Sequence, residues 1–161
     1  MKSLLTFLSL VLFATAPLAA GRSWSLNDIY GESFSAPKSL KSKPTLLLFW
    51  ATWCKPCKAE LDAMKDTFNG LAERGLIVVM ISEDNQKSMS RVKPYIESKG
   101  YTWKALLDPD GEVLKLFGGT SIPYTVLLDK DGSPAFEHRG ELKDPQPLLT
   151  KIDSMLESES E

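Results

Sequence analysis

The stretch Leu46-Leu47-Leu48-Phe49-Trp50-Ala51-Thr52-Trp53-Cys54-Lys55-Pro56-Cys57 holds the only two cysteines of the 161-residue chain and sets them directly after an apolar run. Such a run suits a strand buried on both faces. Downstream, Leu61, Met64, Phe68 and Leu71 recur at three- and four-residue spacing, which predicts an amphipathic helix ending near Gly75. A strand that delivers Cys54 to the first turn of that helix aims backbone N–H groups and the positive end of the helix dipole at its sulfur, favouring thiolate over thiol. Cys54 then reads as a nucleophile. Cys57, one turn deeper, is placed to attack a mixed disulfide formed at Cys54 and release the partner.

Other uses of the pair fit less well. A structural zinc site calls for about four ligands, and two cysteines with the lone His138 do not supply them; no metal site is expected. A purely structural bridge over so short a loop removes little unfolded-chain entropy. Two unpaired core cysteines would rarely fall at this spacing between a strand and a helix. The Asp-x-Asp-Gly segments at 108–111 and 129–132 lack the later oxygen ligands of a calcium loop and read as turns.

The chain starts with Met1-Lys2, an apolar stretch from Leu4 to Ala14 and small residues through Ala20-Gly21, the layout of a secretory signal peptide over residues 1–21. The apolar stretch is well short of the ~20 residues a spanning helix needs. Arg22 stands where a lipidated cysteine would follow. Residues 22–161 are then about 140 residues, the size of one domain. Without Lys2 the 19 basic residues become 18 against 21 acidic ones, a net charge of −3 that suggests neither nucleic acid nor an anionic membrane as partner.

Beyond the first helix, Leu76 to Ile81 predicts a second buried strand, making a strand–helix–strand unit that needs a parallel sheet. A second helical pattern covers Gln86 to Lys99, where Pro94 could introduce a kink. There follow a short strand at Trp103 to Leu107, a short helix with Val113, Leu114, Leu116 and Phe117, and a hairpin of Tyr124 to Leu128 and Pro134 to His138 around Lys130-Asp131-Gly132. A last helix runs from about Pro145 to Leu156, and the acidic end, Ser158 to Glu161, is expected to fray.

In this order the pieces resemble the thioredoxin superfamily and, more narrowly, its exported TlpA/ResA-like thiol-disulfide oxidoreductases. The resemblance is carried by Trp24-Ser25-Leu26 with Tyr30-Gly31, by Phe49 to Cys57 with Glu60, by Leu107-Asp108-Pro109-Asp110-Gly111, and by Ile122-Pro123 ahead of Val126-Leu127-Leu128-Asp129. It implies an α/β thioredoxin-like fold: a central mixed β-sheet flanked by helices, with an N-terminal β-hairpin and a TlpA-type insertion.

The resemblance also implies roles. Cys54 and Cys57 form the redox-active disulfide. Pro123 matches the family's cis-proline beside the sulfurs, and the backbone of Ile122 matches the position that pairs with an extended partner segment. Glu60 matches a functional glutamate that accepts the Cys57 proton, with its charge opposing early ionisation of Cys54. Lys55, flanked by Pro56 inside the motif, pulls the other way and tunes the pair towards thiolate. Trp53 is expected beside Cys54 at the partner surface, Trp50 in the core. Leu48 stands where cytosolic thioredoxins carry a buried aspartate, which passes proton handling to Glu60. Asp62 replaces the proline that bends the active-site helix in many relatives.

The expected activity is reduction of disulfides in periplasmic client proteins, for example in cytochrome c maturation or copper-site assembly. It needs no bound cofactor, an upstream thiol reductant protein for recharging, and a monomer. A dithiol oxidase or isomerase would use the same residues at a higher potential. A copper-delivery module would need His138 beside the cysteines, and a cysteine peroxidase would need Thr where Ala51 stands.

Overall fold

The computed structural model describes residues 22–157, so the expected signal peptide and the acidic end lie outside the described residues. Seven strands form one mixed sheet: β1 (Trp24–Asp28), β2 (Ser33–Ala36), β3 (Thr45–Trp50), β4 (Ile77–Ser82), β5 (Lys104–Leu107), β6 (Tyr124–Leu128) and β7 (Pro134–Arg139), in the order β2-β1-β5-β4-β3-β6-β7. Strand β3 lies between β4 and β6, and every one of its residues is buried, as a continuous apolar run requires. It runs parallel to β4, which runs parallel to β5; the other pairings are antiparallel.

The pleat of β3 divides the core in two. Leu46, Leu48 and Trp50 face a cluster with Cys57, Leu61, Phe68 and Leu71 of helix α1 (Lys55–Glu73), Val92 and Ile96 of α2 (Val92–Lys99), and Leu148, Ile152 and Met155 of α4 (Gln146–Glu157). Leu47 and Phe49 face the other cluster, with Trp24 and Phe34 of the N-terminal hairpin and Val113 and Leu114 of α3 (Glu112–Leu116). This is the α/β thioredoxin-like architecture that the resemblance implied.

The helix expected over Gln86 to Lys99 is shorter. A 3-10 turn occupies Met89–Arg91 and α2 begins only at Val92. Pro94 falls in the first turn, where a missing N–H costs no intrahelical bond, so it starts the helix and does not kink it. Both Asp-x-Asp-Gly segments are turns. Asp108 accepts the N–H groups of Glu112, Val113 and Leu114 and so caps α3, while Asp131 accepts Ser133 N–H in the β6–β7 turn. Helix α1 is uninterrupted past Asp62, whose carboxylate binds Lys99 Nζ and Tyr101 OH, each at 2.6 Å. That residue ties α1 to the end of α2 where a proline would have removed an N–H.

Candidate active site

Beyond β3 the chain turns through Ala51 to Trp53, with Cys54 N–H donating to Ala51 O at 3.0 Å, and α1 starts at Lys55. Cys54 is the N-cap: its backbone is extended (φ −81°, ψ 100°) and its Sγ accepts the Cys57 N–H at 3.3 Å. A sulfur thus fills the role that Ser or Asp usually plays at this position and satisfies one of the orphan donors of the first turn. Pro56, in that same turn, forfeits nothing. Cys54 and Cys57 are joined in a disulfide, with Cα atoms 5.4 Å apart. Both are buried, Cys54 at 5% exposure and Cys57 at 1%, so Cys54 is the sulfur a partner reaches first. Trp53, 60% exposed, precedes it in the chain, and Lys55 and Pro56, which follow it, are exposed.

Cys57 and Glu60 are neighbours on one helix face, and both line a cavity of about 10 Å³ with Leu48, Pro123, Tyr124 and Thr125. The strand register explains the floor of this niche. Leu48 on β3, Thr125 on β6 and His138 on β7 sit side by side across the sheet. Glu60 Oε2 accepts the N–H of Leu142 at 2.7 Å from the connection between β7 and α4. Burial pushes the Glu60 carboxyl above the ordinary range; the Leu142 N–H and the nearby His138 oppose that rise and Glu141 adds to it. The site therefore holds a half-buried acid, with raised proton affinity, in the same small cavity as the inner sulfur.

The Ile122–Pro123 peptide bond is cis. Pro123 is buried against the cavity that holds Cys57, and its carbonyl accepts Gly140 N–H at 2.9 Å. Ile122 is half-buried and touches both core clusters. The structure thus brings Cys57, Glu60 and Pro123 into one cavity, while Trp53, Lys55 and Pro56 lie outside it, around the outer sulfur. His138 pairs its ring Nε2 with Glu141 O at 3.1 Å, on the Glu60 side of the site. Among the described residues no group of three or more His, Cys, Asp or Glu side chains could hold a metal.

Two features escaped the sequence. Asp84, just past β4 and fully buried, accepts hydrogen bonds from Thr52 N–H (2.7 Å), Thr52 Oγ1–H (2.6 Å) and Ser82 Oγ–H (2.9 Å). Its neighbour Glu83 points to the Asp108 side, where burial and the Asp108 charge push its carboxyl up to about 8. An acidic pair after a strand reads as a solvated turn, and nothing in the local pattern tells which member turns inward.

Comparison with known proteins agrees with this geometry. Thiol-disulfide oxidoreductase ResA of Bacillus thuringiensis is 30% identical over 116 residues, 72% of this chain and 65% of that protein. Thioredoxin-like protein YneN of Bacillus subtilis is 33% identical over 109 residues, 68% of this chain and 63% of that protein. The chain spans just under two thirds of the length of these relatives. The crystal structure of StoA from Bacillus subtilis superposes with a TM-score of 0.67 at 26% identity, covering 84% of this chain and 98% of that one. The AhpC/TSA family profile matches residues 19–133, most of the chain. With a thioredoxin-like sheet and a cysteine pair at the head of its first long helix, the protein belongs to the AhpC/TSA family.

Proposed function

We propose that the protein is an exported thiol-disulfide oxidoreductase that reduces disulfides in periplasmic client proteins. Cytochrome c maturation and copper-site assembly are the settings that its resemblance to ResA favours. The observation that carries the reading is the asymmetry of the pair: an outer sulfur at a helix N-terminus, and an inner sulfur sharing a small cavity with a proton-accepting carboxylate. The thiolate of reduced Cys54 attacks one sulfur of a client disulfide, forming a mixed disulfide and expelling the first client thiolate. Cys57 passes its proton to Glu60 and attacks Cys54 Sγ, which expels the second client thiolate and closes the Cys54–Cys57 bond. Two electrons have moved to the client. An upstream thiol protein returns them, and no bound cofactor enters the cycle.

Client recognition fits the surface around Cys54. Trp53 offers an exposed ring, and among the described residues no backbone hydrogen bond engages Ile122, so its main chain is free to pair with an extended client segment. The protein works as a monomer in this scheme, and among the described residues no helix is long and apolar enough to cross a membrane.

The test is the equilibrium reduction potential of the pair, measured in thiol buffers with tryptophan fluorescence, together with trapping by Cys57→Ser. A potential near that of thioredoxin, about −270 mV, and covalent capture of clients through Cys54 are the expected results. A potential near −120 mV would reverse the direction to dithiol oxidation. Failure of both Cys57→Ser and Cys54→Ser to capture any partner would overturn the exchange reading altogether.

A further inference from the structure

We infer that Asp84 is a positioning residue for Cys54 and acts through Thr52. The inference rests on the reading of Cys54 as the exchanging sulfur. Strands β3 and β4 run in register up to Trp50 opposite Ser82, and the ladder continues one step further through Glu83 N–H to Trp50 O at 2.8 Å. There β3 must leave the sheet to start α1. Thr52 N–H, which the next ladder step would give to a backbone carbonyl, goes instead to Asp84 Oδ2, and the Thr52 hydroxyl goes to Asp84 Oδ1. Ser82 braces the acid from behind, donating its hydroxyl to Oδ2 and accepting the Asp84 N–H at 3.2 Å.

The carboxylate thus takes over from the backbone where the two strands part, with short charge-assisted bonds from a buried acid to a half-buried threonine. Only Trp53 separates Thr52 from Cys54, and the turn there carries only the Cys54 N–H to Ala51 O bond of its own. Fixing both polar groups of Thr52 therefore fixes where Cys54 Sγ sits relative to the Cys57 N–H and the end of α1. That placement decides how far the helix terminus stabilises the Cys54 thiolate. Glu83 cannot substitute, because it faces Asp108.

The experiment measures the pH profile of iodoacetamide alkylation in the Cys57→Ser protein, where Cys54 is the only thiol. Thr52→Val keeps the shape of the side chain but removes the hydroxyl bond. Thr52→Ser keeps that bond. Neither alters the charges around the pair: Lys55, Lys58 and Glu60 on α1, Asp84 after β4, and His138 and Glu141 on the far side. Thr52→Val is expected to raise the midpoint by about one pH unit, roughly tenfold less thiolate below it, with Thr52→Ser restoring the parent profile. In an Asp84→Ala background, which removes the acceptor of the Thr52 hydroxyl, Thr52→Val should add nothing, since both changes break one contact.

Unchanged midpoints alongside lowered thermal stability would overturn the inference, leaving Asp84 a purely structural brace. An equal shift in the Asp84→Ala background would overturn it too, because Thr52 would then act through some other group. Should Asp84→Ala not fold, the Thr52 pair alone decides. In either overturning case a reactive Cys54 leaves the exchange function standing; an inert Cys54 in the parent overturns both.

Discussion

The two flanks of the cysteine pair each carry a carboxylate, and the two acids are held in opposite ways. On the Cys57 flank, Glu60 is half-buried, accepts the Leu142 N–H at 2.7 Å, and has its proton affinity raised by burial. On the Cys54 flank, Asp84 is fully buried and saturated by three donors within 2.9 Å. An acid with raised proton affinity beside a small cavity is suited to exchanging a proton. One whose oxygens are already committed to neutral donors is suited to holding a loop still. The proposed exchange cycle uses both: the outer sulfur is held in place, and the inner one gives up its proton.

The contrast can be broken from either side. Asp84→Ala takes the acceptor from the buried Ser82 hydroxyl and from the half-buried Thr52 N–H and hydroxyl, and should cost the oxidised protein about 2–4 kcal/mol in urea denaturation. Glu60→Ala should cost about 1 kcal/mol by the same measurement, since it removes a single charge-assisted bond at a half-exposed position. Equal losses at the two sites would erase the distinction.

Kinetics should reverse the ranking. Glu60→Gln keeps the shape and loses the proton acceptor, and is expected to slow release of a client from its mixed disulfide with Cys54 by about 10- to 100-fold at pH 7. Stopped-flow tryptophan fluorescence reads this step, and a rate within twofold of the parent would remove Glu60 from the cycle.

Glu83 sharpens the comparison because it neighbours Asp84 yet behaves like Glu60. Its carboxyl is raised to about 8. The folded protein therefore binds its proton more tightly than the unfolded chain, and this stabilising contribution is lost as pH rises from about 4.5 towards 8. Glu83→Gln should leave stability unchanged near pH 4 and raise it by about 1–2 kcal/mol near pH 9, less than the full shift implies because solvent screens a partly exposed side chain. Denaturant midpoints across that range decide it. The smallest effect is expected at Trp53. With its ring 60% exposed, Trp53→Ala should move stability by less than about 0.5 kcal/mol, while weakening exchange with protein clients more than with a small disulfide.

Much of this was legible in the sequence where the signal is local. The six buried residues of β3, the apolar spacing of α1 and the turn residues at Asp131-Gly132 each announce an element, because periodicity and turn chemistry act over a few neighbours. The cysteine pair was legible for the same reason: its chemistry depends on a helix terminus that the sequence places one residue away. The start of α2 was misjudged because Pro94 is compatible with both a kink and a first turn, and only packing chooses between them.

What the sequence by itself determined is the placing of the cysteine pair at the head of a helix and the alternation of strands and helices around it, since these follow from residue type and spacing along one stretch of chain. The tertiary structure alone decided how the centre is surrounded. Glu60 meets an N–H 82 positions away, and Thr52 meets a carboxylate 32 positions away. Bonds of that span depend on strand order and register, which bring the ends of β3, β4 and β6 and the connection after β7 to one place, and no local pattern encodes that meeting.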